Sequence, residues 1–347
     1  MDVSKLYVQD FRQFAQRTWD LAPGINLVIA PNGSGKTTLL EALHLLATGK
    51  SFRANKTVEM VRFGQEIARV YALADDKLKL GITLTGGLVG GQKAAAKYYQ
   101  INQTRKRAVD FVGNLLTATF RPEDLRLIEG SSSRRRDYLD GPLSLVSQVY
   151  READKKYSAA LIRRNKTLKA IRDDGLDESL LSLWDRQVLE FGPVVQRLRA
   201  AYVDFVNTRV QFARPYHLIY QHSLMSPERL LSHRRAELAV GYTLVGPHKD
   251  DLLIEAELGG QMVNLATYGS RGQQRLAVLW LKLAELEYIK RETKRVPILL
   301  LDDIFSELDD QARELVRAQV QQQPTIITSI DQELTKIIGK QVNTIVL

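Results

Sequence analysis

Cysteine is absent from the 347 residues, which excludes disulfide frameworks, thiolate zinc sites, iron–sulfur clusters and cysteine nucleophiles together. That fits a reducing compartment, and a cytoplasmic location is expected. Histidine is scarce: five residues, scattered, with no HExxH helix and no His/Asp cluster at ligand spacing, give a dedicated zinc site no support. Long apolar runs are missing as well. Residues 1–14 carry Asp2, Lys5, Asp10 and Arg12, unlike a secretory leader, and nothing later approaches the roughly 18 apolar residues of a membrane-spanning helix. No membrane partner is expected.

What is present suits a folded chain. Hydrophobic residues make up 44% of it, enough for a substantial core, and at roughly 150 residues per domain the length suggests two domains. Lys and Arg number 49 against 40 Asp and Glu, a net charge of +9, which favours an anionic partner, nucleic acid ahead of a membrane surface.

The N-terminal stretch predicts strands over 5–11, 18–21 and 25–29, the last after a Pro23-Gly24 turn. Leu39, Leu40, Leu43, Leu46 and Ala47 then recur at helical spacing, with Gly49 placed to end the helix. Residues 58–120 alternate short β-like runs with turns, predicting an antiparallel sheet, and Gly90-Gly91-Gln92-Lys93 reads as a hairpin tip because no GK[ST] ending follows it. From 142 to 212 glycine almost disappears and helical periodicity dominates, broken at Asp173-Asp174-Gly175 and Gly192-Pro193. A helical hairpin is expected, its first helix over 142–172 reaching about 45 Å at 1.5 Å per residue. Trp184, Val188, Phe191, Val195, Leu198, Tyr202 and Phe205 form its packing seam, and Pro193 should kink or restart the second helix. Strands are expected again over 242–245, 252–256, 298–301 and 325–328. The helical segment therefore interrupts an α/β domain.

Ala30-Pro31-Asn32-Gly33-Ser34-Gly35-Lys36-Thr37 follows an apolar strand and opens a helix, the context a P-loop needs. Its amides and the helix N-terminus point at phosphate oxygens, Lys36 neutralises phosphate charge, Thr37 offers a hydroxyl to Mg²⁺, and Thr38 follows. Ala30 stands where glycine is usual. The apolar run over 296–301 ends in Asp302-Asp303, as a buried parallel strand delivering carboxylates at its edge would. It matches a Walker B strand, with Asp302 on Mg²⁺ through water and Asp303 polarising the attacking water. Ser270-Arg271-Gly272-Gln273 opens a strongly apolar helix and resembles the signature of ABC-type ATPases; Ser306-Glu307-Leu308-Asp309 stands where their D-loop does.

With these motifs, Asp10-Phe11-Arg12-Gln13-Phe14, Thr48-Gly49-Lys50-Ser51-Phe52-Arg53, Phe120-Arg121-Pro122-Glu123-Asp124-Leu125 and Leu244-Val245-Gly246-Pro247-His248-Lys249-Asp250-Asp251 make the whole chain resemble the RecF family of bacterial recombinational-repair ATPases, relatives of SMC heads. The resemblance implies an ABC-type P-loop ATPase head of mixed sheets and helices, built from 1–125 and 240–347, with an inserted helical-hairpin lobe over 126–239. It implies ATP and Mg²⁺ as cofactors and an ATP-dependent homodimer, in which Ser270, Arg271, Gly272, Gln273 and Asp309 act in trans on nucleotide held by the partner. Arg12 resembles an arginine that reaches phosphate in related heads. Expected partners are single-stranded and duplex DNA at gaps and junctions, with mediators resembling RecR and RecO, in DNA repair, replication restart and the SOS response.

Three departures bear on turnover. Aspartate replaces the usual glutamate at Asp303, no histidine stands near Ser329, and no Q-loop glutamine occurs over 120–124; slow hydrolysis is expected. For DNA, residues 161–172 hold Arg163, Arg164, Lys166, Lys169 and Arg172 with no acid, and 134–136 and 105–107 add two basic runs. Such clusters suit phosphate neutralisation; a solvated helix face is the bland alternative. The ATPase subunit of a membrane transporter shares the P-loop, signature and D-loop, but the helical insertion and basic charge favour the DNA reading.

Overall fold

Both ends of the chain build the first of two units, 1–125 with 285–347, and residues 126–284 form the second. The computed structural model describes residues 2–209, 214–332, 334, 338 and 342–346. In chain order the elements begin with β1 (Val3–Phe11), β2 (Phe14–Asp20), β3 (Ile25–Ile29), α1 (Lys36–Thr48), β4 (Ile67–Ala74), β5 (Leu78–Thr85), β6 (Leu88–Val89), β7 (Gln92–Lys93), β8 (Lys97–Ile101), β9 (Thr104–Lys106), α2 (Ala108–Phe111) and β10 (Thr117–Phe120). They continue with α3 (Ser132–Val146), α4 (Gln148–Asp174), α5 (Ser182–Asn207), β11 (Tyr216–Gln221), α6 (Pro227–Val240), β12 (Asp251–Leu258), β13 (Gln261–Asn264), α7 (Leu265–Tyr268) and α8 (Arg271–Thr293). Last come β14 (Ile298–Asp302), α9 (Asp310–Val320), β15 (Thr325–Ser329) and β16 (Val342–Val346).

Among the described residues, the first unit holds an antiparallel sheet of order β2-β1-β4-β5-β8-β9 and a parallel sheet of order β10-β14-β15-β3-β16. The central parallel strands are nearly continuous apolar runs, INLVI and ILLLD, because both faces are covered. Helix α1 touches β4 and β5 of one sheet and β10, β14 and β15 of the other. That explains a helix buried nearly all round, with Leu39, Leu40, Leu43, Leu45 and Leu46 fully enclosed. In β4 the alternation is strict: Ala68, Val70, Ala72 and Ala74 point inward while Arg69, Tyr71 and Leu73 are partly exposed. The expected hairpin tip is there, Gly90 and Gly91 both taking positive φ between β6 and β7.

In the second unit α4 and α5 pack as the expected hairpin. The predicted 142–172 helix is two helices, divided at Ser147, whose hydroxyl accepts the Tyr150 amide at 3.1 Å and starts α4. Pro193 does not interrupt α5, which runs unbroken over Ser182–Asn207 with the proline ring exposed. Of the predicted seam, Val188, Val195, Tyr202 and Phe205 are buried; Trp184, Phe191 and Leu198 are half-buried, and Gln196 and Arg199 take buried places beside them.

Residues 242–245 form no strand: the Thr243 amide and hydroxyl both donate to Asn165 Oδ1. The expected return to the head at residue 240 is also corrected. Strand β12 pairs with β11 and packs on α3, so 240–284 belong to the second unit and the head resumes at 285, within α8. Among the described residues, no helix is long and apolar enough to cross a membrane.

Candidate nucleotide site

The loop between β3 and α1 is shaped by two glycines with positive φ, 82° at Gly33 and 106° at Gly35. A Cβ on Gly35 would lie 2.3 Å from the Phe14 ring, so no other residue fits. No side chain caps the start of α1 and no acid sits in its first turn, which leaves the helix N-terminus suited to an anion. The Ser34 hydroxyl is buried with no hydrogen-bond partner. Lys36 is 7% exposed and its Nζ donates to Ala30 O at 2.5 Å and Pro31 O at 3.1 Å.

Beside this loop lies a cavity of about 420 Å³, lined by Pro31, Asn32, Gly33, Gly35, Lys36, Thr37 and Thr38 together with Gln13, Arg53, Pro122, Glu123, Asp302 and Asp303. Its carboxylates sit at the end of β14, held there by the parallel ladders to β10 and β15. Asp302 Oδ1 accepts from Thr37 Oγ1 at 3.0 Å and Thr328 Oγ1 at 2.8 Å. Burial pushes the Asp302 carboxyl above its ordinary pKa, the Thr328 and Thr37 hydroxyls oppose this, and the Glu123 charge adds to it. Asp303 is raised too, first by burial, with Lys36 opposing and Asp302 and Glu307 reinforcing. Its backbone is left-handed, φ 49°, with its amide donating to Thr328 O.

The donor set fits a small hard cation. Thr37 and Asp302 bring a hydroxyl and a carboxylate oxygen together, and the described residues hold no group of three or more His, Asp or Glu placed to hold a metal ion by themselves. Mg²⁺ suits such a site, since it takes one or two protein oxygens and completes its shell with phosphate and water.

Arg12 does not line this cavity, a correction to its expected role. Its Nε donates to Glu41 Oε2 at 2.9 Å, one terminal nitrogen to Glu41 Oε1 at 2.5 Å and the other to Glu59 O at 2.7 Å. Glu41, fully buried on α1, needs that cation. Gln13 and Arg53 line the cavity instead. The Thr38 hydroxyl donates to Gln13 Oε1, and Glu41 accepts from Ser51 Oγ, which in turn accepts the amides of Arg53 and Ala54. Across the rim, Arg121 stacks 4.5 Å over the Phe52 ring, donates to Phe52 O and pairs with Asp124. Gln13, Arg53 and Glu123 lay inside segments read from the sequence without a role of their own; only the fold brings them to the cavity.

The signature residues lie in the second unit. Ser270 and Gln273 form a capping box, each side chain accepting the other's amide, at 2.8 and 3.4 Å; Arg271 and Gly272 are exposed beside them. Asp309 caps α9 through the Ala312 amide at 2.9 Å.

The basic run on α4 divides. Arg163, Lys166 and Lys169 are exposed, Arg163 lying 5.3 Å over Trp184. Arg164 is not available to DNA: it is fully buried, donating at 2.7 Å to Asp185, Glu237 and the Thr243 hydroxyl. In the run 134–136, Arg135 pairs with Asp251 and Arg136 with the Asp250 carbonyl.

The sequence model of the RecF/RecN/SMC N-terminal domain matches residues 2–346. RecF of Halothermothrix orenii, a DNA replication and repair protein, is 34% identical over 95% of this chain and 92% of its own. The chain belongs to the RecF family. RecF of Herpetosiphon aurantiacus is 35% identical over 95% of this chain and 94% of its own. A solved structure of the recombination mediator protein RecF with ATPrS, in the RecFOR pathway, superposes with a TM-score of 0.86 at 30% identity, covering 99% of this chain and 96% of that one. An Smc head bound to the C-winged helix domain of ScpA reaches 0.50 at 15% identity, covering 95% and 90% of the two chains, a likeness of fold alone. The fold is that of an ABC-type ATPase head, and RecF relatives carry it with the helical lobe.

Proposed function

We propose that this chain is a cytoplasmic, ATP-binding and slowly hydrolysing DNA-binding protein that dimerises with ATP and acts at single-strand gaps and junctions in repair, replication restart and the SOS response. The observation that carries the reading is the convergence of Lys36, Thr37, Asp302 and Asp303 on one cavity. RecF relatives named for DNA replication and repair, and a RecF solved with ATP, support it over the transporter reading.

The residues divide the work. Lys36 turns from the Ala30 and Pro31 carbonyls to the phosphate chain, and the Ser34 hydroxyl and first-turn amides of α1 bind phosphate oxygens. Thr37 and Asp302 would hold Mg²⁺, which neutralises phosphate charge when bound. Asp303 orients the attacking water and accepts its proton at a carboxylate oxygen. Its side chain is one carbon shorter than glutamate, which favours slow turnover. Exposed Ser270 and Gly272 of one protomer close over nucleotide held by its partner, so hydrolysis reopens the dimer. Lys166 and Lys169 neutralise DNA phosphates, and mediators resembling RecR and RecO recognise the closed state.

Light scattering of wild type and Lys36→Met, with and without ATP and Mg²⁺, tests the reading. Dimerisation of wild type with ATP, and of neither protein otherwise, is expected. A wild type that remains monomeric with ATP contradicts the dimer.

A further inference from the structure

The antiparallel sheet of the first unit turns one face outward, and its register aligns one residue from each strand in a single row. Thr18 pairs with Tyr7, Tyr7 with Tyr71, Tyr71 with Gly81, Gly81 with Gln100, and Gln100 with Arg105. The neighbouring row brings Gln9, Arg69, Thr83 and Tyr98 together. Outside Gly81 these side chains are all partly or fully exposed.

Two tyrosines lie as a pair, Tyr7 and Tyr71 with ring centroids 6.3 Å apart. Gly81 makes room for the second ring: a Cβ there would lie 2.5 Å from Tyr71 Cε1 and 2.6 Å from Cδ1, so one edge of the ring fills the space a side chain would take. Tyr98 is fixed as well, its hydroxyl accepting the Ala95 amide at 3.0 Å, with the Arg105 guanidinium 4.7 Å over its ring. Arg69 and Arg105 bring positive charge, Gln9, Gln16 and Gln100 bring amides, and the acid of the face, Asp20, stands on the edge strand paired with Lys5 at 3.2 Å.

We infer that this face is a stacking platform for single-stranded DNA. Aromatic rings interleaved with arginines on an open sheet stack unpaired bases and neutralise the phosphates between them. A duplex has no base faces to offer such a surface. The inference rests on DNA being the partner, as proposed above, and adds the place and the strandedness.

The test is fluorescence anisotropy of labelled oligo-dT and of a duplex of equal length, with wild type, Tyr7→Leu, Tyr71→Leu and Tyr71→Phe. Leucine keeps Gly81 covered while removing the π face. Each leucine variant should weaken oligo-dT binding by about 5- to 100-fold, with duplex binding within about twofold and an unchanged thermal melt; Tyr71→Phe should bind as wild type does. An oligonucleotide carrying iododeoxyuridine should photocrosslink to Tyr7 or Tyr71. Wild-type oligo-dT affinity in both leucine variants overturns the inference and leaves the face to a protein partner. Equal loss of single-strand and duplex binding overturns stacking in favour of a general anion surface. A wild type that binds neither DNA overturns the proposed DNA partner itself.

Discussion

Thr37 donates its hydroxyl hydrogen to Asp302 at 3.0 Å across 265 residues of chain. One residue lies in the first turn of α1 and the other ends β14, so the pair exists only when both ends of the chain fold into one unit. Thr328 on β15 completes the clamp from a third element. The cation ligands of the proposed site are therefore positioned by the parallel sheet itself.

Holding that carboxylate has a stability cost whose sign can be measured. Burial raises the Asp302 pKa above its usual 3.8, so the folded state favours the protonated form. The penalty is fully present above the folded pKa and vanishes below about 3.8, where folded and unfolded chains are both protonated. In the presence of a chelator, Asp302→Asn should melt above wild type at pH 7, with the gap closing as the pH falls towards 4. It should also lower Mg²⁺-dependent ATP turnover by about 100-fold or more. A variant that melts lower at pH 7 contradicts the assignment.

Arg164 and Lys166 are two residues apart on α4 and should behave as opposites. Removing the Arg164 side chain strands the buried Glu237 carboxylate, and Arg164→Ala should destabilise the chain by about 3–5 kcal/mol. Lys166→Ala should stay within about 0.5 kcal/mol in denaturant titrations. If Lys166 contacts phosphate, its loss lowers the salt slope of DNA binding by about one; an unchanged slope removes it from the interface.

His248 gives the second unit a pH dependence. Its Nδ1 lies 2.7 Å from the Tyr157 hydroxyl and its Nε2 3.0 Å from Thr243 O, an arrangement made by the neutral ring with hydrogen on Nε2. Burial depresses its pKa from 6.5 to about 4. Above 6.5 folded and unfolded chains are both neutral there and no penalty applies. As the pH falls from 6.5 to 4 only the unfolded chain gains the proton, so stability declines by about 3 kcal/mol over that window. Urea titrations from pH 7 to 4 should show the decline in wild type, and His248→Gln should flatten it. Equal slopes in both proteins would remove His248 as the cause.

The P-loop, the Asp302-Asp303 strand end and the helix capped at Gly49 were legible because local rules fix them: glycines where φ is positive, apolar runs where both strand faces are covered. Arg12 was misassigned because its partner, Glu41, is a helix residue 29 positions away, and no local pattern ties the two. Arg164 carried a signal that the charge run obscured. It lies four residues from both Ala160 and Leu168, within the buried stripe of α4, so helical period places it inward; its acids, Asp185 and Glu237, are 21 and 73 residues away. The domain boundary at 240 failed for a similar reason, since the ladder between β11 and β12 joins 251–258 to the second unit.

In the proposed dimer each nucleotide site is shared by two copies of the chain, the P-loop from one and the signature from the other. Single-turnover hydrolysis of labelled ATP by an equimolar mixture of Lys36→Met and Ser270→Arg tests it most directly. Each variant alone should be at background, and the mixture should regain activity, because a mixed dimer joins an intact P-loop to an intact signature. A mixture no more active than the mean of its two components would contradict the shared site.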